Sequence, residues 1–465
     1  MLSTIIKKEI LDTIISPKFI FTFLLCTVLI ILSVITGIGN YASELDEYGA
    51  AVALNKKNLE SQPNYGTLAG TGSKINKRPE VLSTLVVGVQ ESVGRVAKVN
   101  ISFDPGLEDS KHNSNPVYAV FGALDLIFIV KIVLSLFAIL FTYDSIAGER
   151  ERGTLKLALS NPVPRDRLIL GKAIGGFISL LTPLVIPMLL GLVILVVHPS
   201  VVLAGEEWAR IGLIFLLFLF YLSVFFTLGL LVSARSARSS NSLLVLLFIW
   251  VTFVTIIPKA SIMIAGEIYP IPSIHEVTAE KDAFLQEIQG AAPGRVNKWV
   301  ADNPSDNTPE WQEKFRIFLE DIQQELTALI DKKNAEIEEA YQAKRRSQQN
   351  LAMNISRISP ASALMFGAMN LARTGLDEHE SFLNSIKSYK PVFTKWVNEK
   401  MMRSLNFDGG EQPKPDVSDM PLHTFSSESL NRSLARVIPD YVAMAVMILI
   451  FFAAAFVSFL RYDVR

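Results

Sequence analysis

Six runs of apolar residues, about 17 to 26 residues each, divide this chain: 19–38, 117–142, 173–197, 211–233, 243–258 and 441–460, the fifth with room to continue past Pro258. A helix rising about 1.5 Å per residue needs roughly 20 such residues to cross ~30 Å of hydrocarbon. Lipid offers the backbone no hydrogen-bond partners, so spans of this composition must be helical. Half of the 465 residues are hydrophobic and only 19% are charged, with a mean hydropathy of +0.35, which excludes an ordinary soluble protein of this size. The expected fold is an all-α membrane protein: six transmembrane helices, an amino-terminal interfacial helix and a mainly helical extracytoplasmic domain.

Orientation follows from the short loops, because Lys and Arg accumulate on the cytoplasmic side. Segment 143–172 holds Arg150, Arg152, Lys156, Arg165, Arg167 and Lys172, and the turn between spans four and five holds Arg235 and Arg238. Lys7, Lys8 and Lys18 precede the first span, and Arg461 and Arg465 follow the last. All four stretches fall on one side, while loop 198–209, free of Lys and Arg, falls on the other, so both termini are expected in the cytoplasm. The first run reads as a span and not as a secretory signal, being longer than a signal core and lacking a small-residue cleavage site. Ahead of it, Leu2, Ile6, Ile10, Leu11 and Ile14 fall on one side of a helical wheel and Lys8, Glu9, Asp12 and Ser16 on the other. That pattern predicts a helix within 1–18 lying in the membrane interface, broken by Pro17, with a frayed tail as the plain alternative. Cys26 is the only cysteine, which rules out an intrachain disulfide.

Two stretches are expected outside the membrane on the far side. Segment 39–116 is a small lobe, and 259–440 is long enough to bury a core as a domain in its own right. Within the second, Trp311, Phe315, Phe318, Ile322, Leu326, Leu329, Ile337 and Tyr341 recur at helical steps among Glu, Lys and Gln. This predicts a long amphipathic helix from Pro309 to Arg357, stopped by Ser359-Pro360 and packed on neighbours such as a helix in AEKDAFLQEI. A partner-binding coiled coil fits less well, since the apolar positions keep no strict heptad. GGEQPKPDVSD, 409–419, reads as a linker to the last span.

No constellation for enzyme chemistry is present. His112, His198, His275, His379 and His423 stand singly, without HExxH or neighbouring cysteine, so neither catalytic residues nor metal ligands are assigned. The one Gly-Lys pair, Gly171-Lys172, lacks the rest of GxxxxGK[ST], so no P-loop is available for ATP. A net charge of about −1 gives no reason to expect nucleic acid.

Two features of the second span and the segment after it do carry chemical meaning. Asp125 and Lys131 lie inside the apolar run, where each costs about 2.5 to 3.5 kcal/mol near the bilayer centre. Six residues apart on a helix they point about 120° from one another, so each needs a partner elsewhere. A path-lining role and a structural pairing between helices both stay open. After Tyr143 the chain turns charged while Ile146, Leu155, Leu157 and Leu159 keep it partly apolar, until Asn161 to Pro164 end it. A short helix with a greasy edge and exposed charges suits the groove of a soluble partner; a solvated loop is the plain alternative.

The string Asp144, Glu149, Arg150, Gly153, Thr154, Leu155, Leu159, Ser160, Pro162, Arg165, Gly171 and Lys172 resembles the cytoplasmic loop of type-2, export-type permeases of ATP-binding-cassette transporters. The resemblance implies that 143–172 bears the coupling helix contacting a nucleotide-binding subunit, with Asp144, Glu149, Arg150, Gly153, Thr154, Pro162, Arg165 and Lys172 as its coupling residues. It likewise implies that 1–18 is the elbow helix, and the six spans read from hydropathy, 19–38, 117–142, three within 173–258 and one within 441–465, with both termini inside, match the family's usual topology. The implied partners are two ATPase subunits carrying the ATP and Mg, with no cofactor on this chain, and a second permease chain, identical or similar. The implied location is the bacterial cytoplasmic (inner) membrane. Many members carry only a short re-entrant element before the last span; Arg345 to Gly375 resembles a subgroup with a large extracytoplasmic domain there.

The leading expectation is therefore a permease exporting a lipid, glycan, peptide or drug-like compound under the drive of separate ATPases. A second reading is a mechanotransmitter that passes ATP-driven motion to an envelope partner through the outer domain. A third, an ion-coupled secondary transporter, would use Asp125 and Lys131 but lacks the internal repeats usual for that class.

Overall fold

The computed structural model describes residues 2–89, 94–101, 106–108, 125–160, 164–304, 308–404 and 414–462. They divide into two compact units, one made of Met1–Thr255 with Arg357–Arg465 and the other of Ile256–Ser356.

In the first unit α1 (Leu2–Ile14) is followed by α2 (Pro17–Glu60). Ser16 starts α2 by accepting from the Phe19 amide, and Pro17 occupies the first turn, where its missing N–H costs nothing. The sequence places the end of this span at residue 38, yet the helix continues to Glu60. Lipid demands apolar residues only as far as the bilayer reaches, whereas ASELDEYGAAVALNKK is rich in good helix formers and prolongs the helix without them. Beyond it come α3 (Tyr65–Thr71) and a small antiparallel sheet of β1 (Ser73–Asn76), β2 (Val96–Val99) and β3 (Gly106–Glu108), in that order, with Ile75 opposite Ala97 and Ala97 opposite Leu107.

The second span also differs from expectation. It opens with α4 (Leu126–Phe128), passes through a π-helical turn (Ile129–Leu134) and continues as α5 (Ser135–Thr142). Asp125 is extended and caps this helix, so it stands at its end and not inside it; 117–124 lie outside the described residues. Then follow α6 (Ala147–Glu151), α7 (Thr154–Ser160), α8 (Arg165–Val197), α9 (Gly205–Arg235) and α10 (Ser239–Val251), the last leading into a π-helical turn, Thr252–Ile256.

The chain returns to the first unit as α14 (Pro360–Ala372), α15 (Leu376–Ser404) and α16 (Leu430–Leu460). α9 is central: Phe218, Tyr221 and Phe225 have no exposed surface, and α5, α14 and α16 all pack on it. A second, smaller core joins Leu68 of α3 and Ala97 and Val99 of β2 to Phe382, Ile386, Phe393 and Val397, a stripe at helical spacing on α15. Among the described residues six helical stretches are long and apolar enough to cross a membrane: Pro17–Glu60, Leu126–Glu151, Arg165–Val197, Gly205–Arg235, Ser239–Ile268 and Leu430–Leu460. The chain is an all-helical membrane protein apart from three short strands among the described residues.

The second unit contains α11 (Ile257–Ile268), α12 (Ile274–Asp302) and α13 (Pro309–Ser356). α12 and α13 run antiparallel, tied by Lys281–Glu338 at 3.1 Å, Arg295–Glu325 at 2.6 Å and Trp299 stacked on Phe318. AEKDAFLQEI belongs to α12, the helix against which α13 packs. Segment 259–440, expected as a single domain, is thus divided. Its part beyond Ser356 belongs to the first unit, because α14 and α15 carry apolar faces that only that unit's helices and sheet bury.

Candidate functional site

The segment after α5 forms two short helices, α6 and α7, with Gly153 between them at φ +75°, a left-handed turn that glycine enters without penalty. Two of its apolar residues turn inward: Ile146 and Leu155 are buried in a cluster with Leu168, Ile169, Ala234 and Phe459. The Ser233 hydroxyl on α9 accepts from the amides of Ile146 and Ala147 at 3.1 and 3.0 Å and donates to the Tyr143 carbonyl at 3.0 Å. These bonds satisfy the unpaired amides at the start of α6.

Charged residues of the segment are fastened just as firmly. Lys172 of α8 is buried between two carboxylates, Glu9 of α1 at 2.9 Å and Glu149 of α6 at 2.8 Å. Asp144 pairs with Lys18 at the start of α2, 2.7 Å away. Arg150 lies over the Tyr462 ring, and Arg165 donates to the carbonyls of Leu460 and Tyr462, both at 2.9 Å. Thr154 donates to the Glu149 carbonyl at 3.2 Å. Asp144, Glu149, Arg150, Arg165 and Lys172 thereby tie the segment to α1, α2, α8 and the end of α16. Gly153 and Thr154 sit on its exposed turn, and Pro162 lies outside the described residues.

The outward face carries residues that the sequence reading did not single out as coupling residues. Arg152, Lys156 and Leu157 are exposed, Leu157 by 69% of its surface. Glu151 accepts from the amide and hydroxyl of Ser239, fixing the start of α10 to α6. Glu9, Lys18 and Ser233 were equally hidden, since nothing in sequence spacing announces a partner more than a hundred residues away or on another helix.

α1 reaches this site by packing closely on α8. A Cβ on Gly171 would lie 2.5 Å from Ile5 Cγ2, and one on Gly175 would lie 2.8 Å from Glu9 Cβ and 3.0 Å from the Ile6 carbonyl oxygen. Small residues four apart let two helices approach to backbone contact.

Asp125 and Lys131 are not brought together as a pair. Asp125 accepts from the amides of Phe128 at 2.9 Å and Val87 at 3.3 Å, so its partners are backbone. Lys131 lies in the π-helical turn, which displaces backbone carbonyls from their usual partners; its carbonyl accepts from Tyr221 at 2.7 Å and Ser135 at 2.5 Å.

A second polar assembly stands at the other end of α9. Arg210, with no exposed surface, donates to the carbonyls of Leu371 and Glu428 at 2.8 and 2.7 Å and pairs with Glu206. Arg373, in the left-handed region at φ 60° where it ends α14, donates to the same Glu428 carbonyl and pairs with Glu206 at 2.7 Å. Glu378 accepts from the Glu428 amide at 3.2 Å and faces Lys77 at 3.8 Å; Ser427 donates to Glu80 at 2.7 Å. Burial pushes the Glu80 and Glu428 carboxyls above their ordinary values, against the Ser427 hydroxyl and Arg436 respectively. Burial also pulls Lys77 down, opposed by Glu378 and Glu80.

A comparison with curated proteins finds no match. The family model of the ABC-2 family transporter protein matches residues 3–464, nearly the whole chain, and the chain, with six long apolar helical stretches among its described residues, belongs to that family of transporter membrane proteins.

Proposed function

We propose that the chain is the permease subunit of an ATP-driven exporter in the bacterial cytoplasmic membrane, with both termini and the α6–α7 segment on the cytoplasmic side. In this reading it pairs with a second permease chain, and two ATPase subunits holding ATP and Mg dock on the outward face of α6–α7. One observation carries the proposal: the segment is bound on its inner face to six helices and presents Arg152, Thr154, Lys156 and Leu157 outward. A short rigid element anchored so widely passes a push from outside into α1, α2, α8, α9, α10 and α16 together. The substrate class, a lipid, glycan, peptide or drug-like compound, follows from the exporter reading alone.

The test separates docking from transmission. Leu157→Glu with Lys156→Glu reverses charge and polarity on the outer face, so the ATP-binding subunit should no longer co-purify while membrane insertion persists. Glu149→Ala with Arg150→Ala cuts inner anchors, so the subunit should still co-purify but its ATPase rate should no longer respond to the permease. Undiminished co-purification in the first variant would remove this face from the interface.

A further inference from the structure

The polar assembly at the far end of α9 takes no part in the coupling proposed above, and its electrostatics are incomplete. Glu378 is 3% exposed and Glu428 9%, and each keeps one carboxylate oxygen, Oε1, buried without a hydrogen-bond donor. The backbone amide of Glu428 donates to Glu378 Oε2 at 3.2 Å, which brings the two residues into one assembly. The buried cation facing them, Lys77, stands 3.8 Å from Glu378 Oε1, beyond hydrogen-bond reach. A carboxylate out of water with an unsatisfied oxygen and a second acidic side chain in the same assembly carries full charge only at a cost, and that is the position of Glu428.

We propose that this assembly is a proton-binding site, in which a proton held by the Glu428 carboxyl closes a polar clasp between the small sheet lobe and the ends of α9, α14 and α16.

A proton supplies what the geometry lacks, turning one orphaned acceptor into a donor and removing one negative charge from the assembly. The clasp joins five parts of the fold. Lys77 and Glu80 come from the chain after β1, with Arg95 nearby and already engaged by Glu44. Glu206, Glu207 and Arg210 come from α9, and Arg373 from the end of α14. Asp377 and Glu378 open α15; Arg436 on α16 bridges Asp377 and Glu428 at 3.3 and 3.2 Å, with exposed Arg432 beside it. The raised carboxyls of Glu80 and Glu428 agree in sign. A carboxyl raised in the folded state contributes stability that is complete below its unfolded value and is lost as pH rises through the folded one. Lys77, lowered by burial, acts the other way, its contribution lost as pH falls through its folded value. His423, also lowered by burial, disfavours the folded state in acid.

The experiment uses the full chain in lipid nanodiscs, with thermal unfolding followed from about pH 5 to pH 8. Wild type minus Glu428→Gln, taken at each pH, cancels the contributions of His423 and Lys77. Glutamine keeps the Glu428 backbone, to which Arg210 and Arg373 are bound, and supplies a permanent donor. The expected result is a variant whose midpoint stays level or rises at the alkaline end, where wild type loses several degrees. Infrared difference spectra on raising pH should show loss of a protonated carboxylic acid band in wild type that is absent from Glu428→Gln and diminished in Glu378→Gln. Parallel pH profiles for wild type and both variants, with no such band, would overturn the proposal. So would a wild-type profile set by sodium replacing choline at constant pH, which would make the ligand a metal cation.

Discussion

Lys172 shows how much one residue carries at this site. Its ammonium is buried between Glu9 and Glu149, and its methylene stem lies where α1, α6 and α8 meet. Removing one member of a buried ionic group leaves the others charged and unpaired, a loss of about 3–5 kcal/mol. Lys172→Met should therefore lower the thermal midpoint of the purified protein markedly. The triple variant with Glu9→Gln and Glu149→Gln should recover most of that loss, because no charge is stranded. If the triple variant is as unstable as the single one, the stabilisation lies in packing of the stem and not in the charges. Lys172 was visible in the sequence as part of a motif, but Glu9 was legible only as one of several polar residues on an amphipathic helix. Asp125 went the other way: hydropathy placed it inside a span, whereas its extended backbone and its bond to the Phe128 amide make it a cap. Apolar density cannot distinguish a residue in a helix from one that starts it.

At the level of elements, the contact of α1 with α8 is decided by Gly171 and Gly175, where no side chain stands between the helices. Gly175→Leu puts a branched side chain against Glu9 and the Ile6 backbone, an overpacking worth about 1–3 kcal/mol. The smaller helix should yield: amide exchange should quicken within Leu2–Ile14 while α9 and α16 keep their protection. Unchanged exchange in α1 would mean that Glu9–Lys172 and the apolar face hold it without the close approach. The elements themselves were legible in proportion to how strongly lipid or periodicity constrained them. The third, fourth and sixth runs lie inside α8, α9 and α16, and the stripe from Trp311 to Tyr341 lies inside α13. The extension of α2 to Glu60 was not, since outside the bilayer a helix needs only propensity and one packed face. Nor was α14, a 13-residue apolar helix too short to register as a span, whose burial depends on α9 and α16.

For the whole molecule, the division into two units sets what can be removed. Neither large apolar core draws a residue from Ile256–Ser356, and within that unit Val277, Ile322 and Ile337 are the buried large hydrophobics among the described residues. α12 and α13 form a two-helix arm whose seam is narrow, held by surface ion pairs worth little singly and by the rings of Trp299, Trp311, Phe315 and Phe318. Tyr269 and Gln348 meet across its base, the Gln348 amide donating to the Tyr269 carbonyl at 2.8 Å. Residues 270–347 can therefore be excised and the ends rejoined by a short Gly-Ser linker with no break in the apolar stretch Ser239–Ile268. The shortened chain should insert, remain monodisperse and unfold at a midpoint close to that of the full chain, because the cores around α9 and α15 are untouched. It should also keep the ATP-binding subunit, whose proposed docking face belongs to the first unit. A solute exporter with its path among the spans would go on transporting once the arm is gone, while a machine that delivers force through the arm would hydrolyse ATP without effect outside. Aggregation of the excised protein, with the same linker tolerated as an insertion at residue 270 of the full chain, would show that the arm supports the fold of the first unit.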